Sequence, residues 1–353
     1  MATREPFGLT PEGQAVELVR LEAGHLRVRI LTLGAAIQSV IAPGRDGERA
    51  DVALGYATLE GYLNQSAYMG VTVGRVANRI AGGRFVLDGV EHRVPANDGP
   101  NALHGGAAGL DRRNWEVVSL TDGPTPTLIL RCVSPDGDQG YPGELTVTAT
   151  YALSAEGVLS LDYEATTDRA TIVNLSNHAY WNMAGEGAPA GAMGNFLTLY
   201  ADEYLPTNET AIPTGGFRHV EGTPFDFRQP APVGLRVRDA SDEQIVFGKG
   251  YDHNWVVSRE LAPEPRPVAR LEDPVSGRAM EMWSDQPGVQ MYSGNFLDGS
   301  LTGKSGRLYR QGDAVVLEPQ MFPDTPNQPA FGSIRLDPGQ TYRNRIRFRF
   351  FTC

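Results

Sequence analysis

Four short segments of the sequence hold amide, imidazole, guanidinium and carboxylate side chains in otherwise apolar or small-residue surroundings. They are residues 74–80 (GRVANRI), 100–106 (PNALHGG), 174–182 (NLSNHAYWN) and 315–320 (VVLEPQ). Residues 251–254 (YDHN) and 288–292 (GVQMY) are of the same kind. Sugars present many hydroxyl groups and apolar ring faces, and polar side chains beside aromatic surface bind both. These residue types therefore predict a carbohydrate site.

Each candidate residue also has a purely structural interpretation, and the residues alone leave both open. Glu318 ends an apolar segment, where a glutamate is usually solvated, and His178 stands among aromatic residues, where a histidine is usually structural. His104 precedes two glycines, which either let the backbone approach a ligand closely or only form a turn. Arg79 could be an ion-pair partner, and Gln290 could face solvent from an alternating segment.

Other chemistries lack their signatures in this sequence. A phosphate loop, a dinucleotide fingerprint and a G-x-S-x-G nucleophile elbow are each missing or broken. No H-x-H, H-E-x-x-H or C-x-x-C spacing occurs, so we predict no tetrahedral zinc site. The net charge of −11, from 31 basic and 42 acidic residues, argues against non-specific nucleic-acid binding.

The elements that must position these groups are predicted to be β-strands. Apolar and polar residues alternate along most of the chain, as strands with one buried face require. In residues 342–350, apolar residues share one parity and arginines the other, namely Tyr342, Ile346, Phe348 and Phe350 against Arg343, Arg345, Arg347 and Arg349. Asp88-Gly89 separates residues 85–87 from 90–94 and predicts a two-residue hairpin, since both residues can take the positive φ of a type I′ turn.

Strands are predicted through the rest of the chain, with one short helix at 58–68. The strand segments are 25–32, 34–42, 114–120, 127–133, 144–153, 157–165, 171–176, 195–201, 267–272, 278–283, 289–293 and 314–318. The chain has 41 glycines and 25 prolines, which indicate many turns, and no repeat or linker divides it. We therefore predict the all-β class, with residues 1–353 as one large antiparallel β-sandwich domain.

The cysteine content and the length of the apolar segments indicate in which cellular compartment the protein is expected. The two cysteines, Cys132 and Cys353, cannot form a disulfide scaffold. Residues 1–9 show no basic segment followed by an apolar one, and no apolar run approaches ~20 residues. We therefore expect a cytoplasmic protein without membrane association.

The sequence resembles the aldose 1-epimerase (galactose mutarotase) family. The matching segments are GRVANRI, LHGG, DGDQGYPG, NLSNHAYWN, YDHN, PGVQMYSGN and LEPQMFPD, in family order from about residue 70 to about residue 325. One such segment is weak evidence, whereas seven in order are strong evidence. The resemblance implies a galactose mutarotase-like antiparallel supersandwich, in agreement with the strand pattern. It also implies an isomerase that interconverts the α and β anomers of free aldohexoses such as galactose and glucose.

The resemblance assigns the catalytic base to Glu318 and the catalytic acid to His178. Ring opening removes a proton from the C1 hydroxyl and gives one to the ring oxygen, and reclosure on the other face reverses the two roles. We expect Glu318 to be ionised and His178 protonated at the start of a cycle, with nearby opposite charges holding both states.

The resemblance also implies how the sugar is held. Substrate binding is assigned to five residues, Asn78, Arg79, His104, Asp252 and Gln290. His104 is expected near the reacting end, and bidentate geometry suits Arg79 and Asp252 to neighbouring hydroxyls. No metal and no organic cofactor is implied. The expected partner is a small-molecule aldose, bound by a monomer or a homodimer.

Two alternatives remain at this stage. A non-catalytic carbohydrate-binding sandwich would share the polar and aromatic surface without needing the Glu318–His178 pair. A related enzyme, such as a sugar-phosphate mutarotase, a glycosidase or a polysaccharide lyase, would need further groups. A phosphate substrate would need a second basic cluster, and a glycosidase would need two carboxylates about 5–9.5 Å apart, for which the sequence offers Glu318 and Asp252.

Overall fold

The alternating segments form antiparallel β-strands in a computed structural model, which describes residues 1–64 and 67–353. The first five strands make one sheet in sequence order. They are β1 (Ala2–Leu9), β2 (Ala15–Ala23), β3 (Leu26–Leu31), β4 (Ala36–Pro43) and β5 (Arg49–Asp51). The sequence predicted β3 and β4 but not β1, an edge strand with mostly exposed residues and hence little apolar alternation.

Short elements follow the first sheet. They are helix α1 (Leu59–Asn64), β6 (Thr72–Val73), β7 (Arg79–Ile80), β8 (Arg84–Leu87), β9 (Val90–Arg93) and β10 (Ala102–Leu103). The predicted hairpin is confirmed, since β8 pairs with β9 and Asp88 and Gly89 have φ of 51° and 78°. Helix α1 lies in the predicted helical segment, of which residues 65 and 66 fall outside the described residues.

The remaining strands follow with few helical elements between them. They are β11 (Glu116–Thr121), β12 (Thr127–Ser134), β13 (Leu145–Leu153), β14 (Val158–Thr167), β15 (Thr171–Ile172), β16 (Ser176–Asn177), β17 (Tyr180–Trp181), β18 (Phe196–Leu199), β19 (Glu203–Leu205) and β20 (Arg218–His219). Then come β21 (Ala231–Pro232), β22 (Asp252–Val256), β23 (Arg266–Glu272), β24 (Arg278–Ser284), β25 (Gly288–Tyr292), β26 (Asp298–Thr302), β27 (Leu308–Arg310), β28 (Val315–Gln320), β29 (Arg335–Leu336) and β30 (Tyr342–Thr352).

Helices are short throughout the described chain. Helix α2 (Glu243–Gly248), which the sequence did not predict, begins after Asp242, whose side chain accepts a hydrogen bond from the Gln244 backbone as an N-cap. Short 3₁₀ turns lie at Ala81–Gly83, Leu110–Arg112, Asp138–Gly140, Val233–Leu235, Thr325–Asn327 and Pro329–Phe331.

A nine-stranded sheet forms one layer of the fold. Its order is β11-β12-β13-β14-β30-β24-β23-β18-β21, so β30 lies between two strands from earlier in the chain. Burial alternates along β30 as predicted, with Ile346, Phe348 and Phe350 buried and Arg349 exposed. One face of this sheet is therefore core and the other meets solvent.

A six-stranded sheet and the first sheet together form the opposite layer. The six strands have the order β17-β28-β25-β22-β19-β20, and a bridge between Ala53 and Trp181 joins β17 to the end of the first sheet. Trp181 packs across the interior on Phe348, with ring centroids 5.2 Å apart. One apolar cluster includes residues from all three sheets. The predicted all-β antiparallel sandwich is thus confirmed.

The β26–β27 hairpin is attached to this second layer by a lysine whose side chain is 13% exposed. Lys304 Nζ donates to the carbonyl oxygens of Gln38 and Ala53 at 2.6 and 2.9 Å, and to Asp51 Oδ2 at 2.6 Å. These bonds replace the water that an ammonium group loses on burial. The hairpin is therefore fixed at its turn.

No helix within residues 1–64 and 67–353 has the length and apolar character needed to cross a membrane.

Candidate active site

One cavity gathers most of the predicted site residues. Its volume is about 180 Å³, and the six-stranded sheet, the loops beside β7, β10 and β17, and the β26–β27 hairpin form its walls. The predicted residues that line it are Asn78, Arg79, His104, His178, Asp252 and Glu318. Residues more than 200 positions apart in sequence thus meet in one small polar space.

The six-stranded sheet supplies the acidic wall. The register sets Gln290 of β25 opposite Glu318 of β28, while Asp252 begins the adjacent strand β22. Glu318 and Gln290 are 2% and 3% exposed. Gln290 does not contribute to the cavity lining; its Nε2 donates to Asp252 Oδ1 over 2.8 Å. In the described structure Gln290 therefore orients a cavity carboxylate from behind.

His178 lies in the two-residue step between β16 and β17. Its backbone N–H donates to the Val71 carbonyl at 2.9 Å, and Asn177 Nδ2 donates to the Gly70 carbonyl at 2.9 Å. The ring packs near Tyr180 and Tyr68, with centroid separations of 5.2 and 5.9 Å. Backbone and aromatic contacts thus hold the imidazole in place.

Asn78 and His104 hold each other through backbone bonds. The His104 N–H donates to the Asn78 carbonyl at 3.0 Å, and the Asn78 N–H donates to His104 Nδ1 at 3.1 Å. Pairing of β7 with β10 brings the two residues together. Because Nδ1 accepts a hydrogen bond, the neutral imidazole carries its proton on Nε2. His104 is therefore prepared as a hydrogen-bond donor.

Arg79 lies within a carboxylate pair. Its Nε donates to Asp98 Oδ2 at 2.7 Å, and its Nη2 lies 3.6 Å from Asp252 Oδ2. Among the described residues that line the cavity, Arg79 is the single basic one. A second basic cluster, which a sugar phosphate would require, does not occur in that lining.

Burial controls the charge states of the proposed acid and base. His178 Nε2 lies 3.7 Å from Glu318 Oε1. Burial lowers the pKa of His178 to about 4. Burial also raises the pKa of Glu318 well above its usual value, with Asp252 adding to the rise and Arg79 opposing it. The expectation that nearby charges hold both groups ionised is not met, because burial favours the neutral form of each.

The two histidines and Glu318 invite a test as metal ligands. His104, His178 and Glu318 each offer a ligand atom, and these atoms lie within 4.8 Å of one another. A metal ligand needs a free lone pair on a ring nitrogen. His104 uses the Nδ1 lone pair for the Asn78 N–H and carries its proton on Nε2, so that hydrogen bond would have to break. The arrangement fits a donor to a ligand oxygen better than a metal site.

Several cavity residues were not predicted from the sequence. Tyr68 packs its ring 4.6 Å from the His104 ring, and its hydroxyl accepts a hydrogen bond from Asn97. Burial raises the pKa of Tyr68 to about 12, so the phenol stays neutral. The other members of this unpredicted set are Ala67, Leu103, Tyr180, Tyr292, Phe296, Leu297, Asp298, Ser300 and Leu301. Strand parity could have revealed Tyr180, because its neighbour Trp181 faces the core.

A larger cleft elsewhere on the surface holds none of the predicted site residues. Its volume is about 420 Å³, and Leu54, Asn182 and the segment from Arg307 to Arg310 contribute to its walls. Arg310 in this cleft pairs with Asp313 at 3.5 Å. Size alone is therefore not what distinguishes the catalytic candidate.

Comparison with known proteins adds independent information. The family model described as "Aldose 1-epimerase" matches residues 17–349. A galactose mutarotase of Rattus norvegicus is 44% identical over 349 residues, which cover 99% of this chain and 98% of that protein. An aldose 1-epimerase of Escherichia coli is 34% identical over 350 residues, covering 98% of each.

Solved structures show the same likeness. A GalM/aldose epimerase homologue from C. elegans superposes with a TM-score of 0.87 at 30% identity, covering 96% of this chain and 99% of that one. A galactose 1-epimerase from Lactobacillus acidophilus gives the same TM-score at 28% identity, covering 100% of this chain and 99% of that one. Fold and sequence therefore agree over nearly the full length.

Proposed function

Because the chain belongs to the aldose 1-epimerase family, a family of isomerases, we propose that Glu318 and His178 transfer the two protons of anomer interconversion. The observation that carries this proposal is the pair itself. A carboxylate and an imidazole, both buried, lie 3.7 Å apart and line the same cavity. That spacing lets one group reach the C1 hydroxyl of a sugar while the other reaches the adjacent ring oxygen.

The proposed reaction moves two protons and breaks one carbon–oxygen bond. Glu318 takes the proton of the C1 hydroxyl, His178 gives its proton to the ring oxygen, and the bond between C1 and the ring oxygen breaks. The product is an open-chain aldehyde with a new hydroxyl. Rotation about C1–C2 presents the other face of the aldehyde. Reversal of both transfers closes the ring as the opposite anomer.

The shifted pKa values of Glu318 and His178 affect the free energy of this step. The ring-closed state needs an ionised Glu318 and a protonated His178, whereas the ring-opened state leaves both neutral. Both states of the pair carry one proton, so no exchange with solvent is needed. Burial favours the neutral pair. Burial therefore makes the ionised pair costly to form, and ring opening returns that free energy by leaving both groups neutral.

The remaining predicted residues are proposed to hold the sugar. His104 donates from Nε2 to an oxygen near the reacting end, because its Nδ1 is occupied. Arg79 and Asp252 bind neighbouring hydroxyls, and Asn78 binds another from the same wall. Gln290 acts through Asp252, to which it donates at 2.8 Å.

The proposed substrates are free aldohexoses, with galactose and glucose as the first to test. Related proteins named galactose mutarotase and aldose 1-epimerase support this choice. The single basic residue in the described lining favours an uncharged sugar over a sugar phosphate. We further propose a cytoplasmic enzyme, monomeric or homodimeric, in which residues 1–353 act as one domain.

Polarimetry of fresh α-galactose and α-glucose solutions tests the proposal with Glu318→Gln. We expect the enzyme-dependent decay of optical rotation to slow by about 10²–10⁴-fold, since a proton-transfer group of this kind contributes that much. Glu281→Gln, the same change on β24 of the nine-stranded sheet, is the matched control and should retain the wild-type rate. A wild-type rate in Glu318→Gln would show that Glu318 is not the base.

A further inference from the structure

A row of buried polar side chains runs across the sheet beneath the cavity. Asn254 of β22 is opposite Gln290 of β25, and Gln290 is opposite Glu318 of β28. Directly opposed residues of antiparallel strands point to the same face, with Cβ atoms about 5 Å apart. All three side chains are buried, and Asn254 is 1% exposed. Asn254 has no role in the reaction as described above.

This row contains polar atoms that need hydrogen-bond partners. Within residues 1–64 and 67–353, neither amide atom of Asn254 has one, nor do Gln290 Oε1 and Glu318 Oε2. Exchanging the oxygen and nitrogen of the Asn254 amide would not change this finding, because both atoms lack a partner. Buried polar atoms in native proteins bond to protein or to ordered water. One donor and two acceptors of this row, Asn254 Nδ2, Gln290 Oε1 and Glu318 Oε2, point to a shared small polar ligand.

A glycine makes room for this arrangement. Gly288 precedes Gln290 by two residues on β25 and faces the same side of the sheet. A Cβ atom at Gly288 would lie 2.3 Å from Asn254 Oδ1 and 3.0 Å from Phe322 Cδ1. The backbone there needs no positive φ, so space is what the glycine provides. Its absent side chain lets the Asn254 amide lie in the row.

Gln290 is turned so that its oxygen is available to the row. Its Nε2 is used by Asp252 Oδ1 at 2.8 Å. This bond fixes which end of the amide is the donor toward Asp252 and leaves Oε1 as an acceptor for another donor. Glu318 Oε2 is a second acceptor, while Asn254 Nδ2 is a donor. One water molecule can satisfy all three, since it accepts once and donates twice.

We propose that a buried water, held by Asn254 and Gln290, donates a hydrogen bond to Glu318 Oε2, and that Asn254 is thereby a positioning residue for the base. The water approaches Glu318 from beneath the cavity, opposite to the sugar. A hydrogen bond to an ionised carboxylate favours the ionised form. The row therefore keeps Glu318 available as a base in spite of its burial. This inference rests on the proposed function of Glu318.

The charged and titratable groups around Glu318 stay unchanged when Asn254 alone is replaced. They are Arg79 of β7, His104 beside β10, His178 beside β17, Tyr180 of β17 and Asp252 of β22. A change in the protonation of Glu318 in an Asn254 variant would therefore come from the altered hydrogen bonding in the row. It would not come from a change in the surrounding charges.

The first experiment measures kcat and KM by polarimetry across pH for Asn254→Leu, which keeps the branched shape of the side chain and removes both polar atoms. Loss of the water bond raises the pKa of Glu318. The active pair holds one proton, and His178 loses its proton at lower pH than Glu318 does, so the alkaline limb of kcat/KM should move up by about half to one pH unit. At neutral pH, kcat should fall several-fold with KM within about twofold of wild type. Asn254→Ser, which leaves room and a hydroxyl for the water, should restore the wild-type limb.

Asn182→Leu is the matched control. Asn182 is likewise 1% exposed, but its amide is paired with the backbone of Asp313 and Ala184, and it lies outside the row. Asn182→Leu should lower the thermal unfolding midpoint without moving the alkaline limb. A wild-type pH profile in Asn254→Leu, or a rise in KM with kcat unchanged, would overturn the proposal.

A high-resolution crystal structure of the wild-type protein decides the matter even if Asn254→Leu does not fold. We expect a water within about 3.2 Å of Asn254 Nδ2 and Glu318 Oε2, in keeping with normal hydrogen-bond lengths. Direct pairing of these side chains with no water between them would refute the inference. If instead the wild type accelerates no aldose, the proposed function fails, whatever the crystal shows.

Discussion

Side chains alternate between two faces in both the nine-stranded and the six-stranded sheet. The two sheets differ in whether the polar face meets solvent or is covered. In the nine-stranded sheet, β13 alternates between buried and partly exposed residues along its whole length. In the six-stranded sheet, every residue of β25 and β28 is buried. One face of these strands, with Val289 and Leu317, joins the apolar core, and the other presents Gln290 and Glu318 to the cavity side.

The comparison shows that the polar residues of an alternating strand lie in two different environments within one fold. On β30 the polar parity is solvent-exposed and its arginines pair with surface carboxylates. On β28 the same parity is covered by loops and a hairpin, so a carboxylate there is desolvated and its pKa rises. Burial, and not residue type, separates a surface strand from a strand that faces the cavity. Three substitutions test this division.

The largest expected effect is on the polar face of the second layer. His178→Asn removes the proposed acid and should lower kcat by about 10²–10⁴-fold in the polarimetric assay. The free energy of unfolding should change little by comparison, because His178 faces the cavity and its backbone bonds do not involve the ring. A stable variant with a wild-type kcat would contradict the assignment of the acid.

The next effect is expected on the core face of the nine-stranded sheet. Leu161 of β14 is 0% exposed and belongs to the main apolar cluster. Leu161→Ala should cost about 2–5 kcal/mol of unfolding free energy, from lost transfer energy and the cavity left behind. Urea unfolding measures this loss. The folded fraction should keep kcat within about threefold of the wild-type value. A loss of activity without a loss of stability would contradict the division between a core face and a cavity face.

The smallest effect is expected on the exposed face of the same sheet. Arg349 of β30 lies 3.5 Å from Glu281 and its side chain is 56% exposed. Arg349→Ala should change the unfolding free energy by no more than about 0.5 kcal/mol, because exposed ion pairs contribute little. Its kcat should equal that of the wild type. A destabilisation of several kcal/mol would mean that this face is not simply solvated.

The sequence was informative about the fold because period-2 alternation is local. A few neighbouring residues are enough to predict the strand at residues 342–350 and the turn at Asp88-Gly89. Both predictions are confirmed. Strand β1 escaped prediction since an edge strand with exposed polar residues has no apolar parity. Strands of two residues, such as β7, depend on a distant partner and leave no periodic pattern.

The site was predictable only in part. The resemblance to a family named six residues that now line one cavity, and their catalytic roles remain predictions. Gln290 was expected to bind substrate, but cross-strand register turns its amide to Asp252. Tyr68 and Ser300 gave no signal, because a tyrosine with positive φ and a serine in an exposed hairpin become cavity walls only through tertiary contacts.

The place of β30 within its sheet has a consequence for how the chain folds. β30 pairs with β14 on one side and β24 on the other, and Val158 meets Arg349 across 191 positions of sequence. Until β30 has been synthesised, β14 and β24 are both open edges, which are templates for wrong pairing. Pairing at such separation also slows folding, because a long loop must close first. We therefore expect the pairing of β30 with β14 and β24 to be a late step in the folding of this sheet.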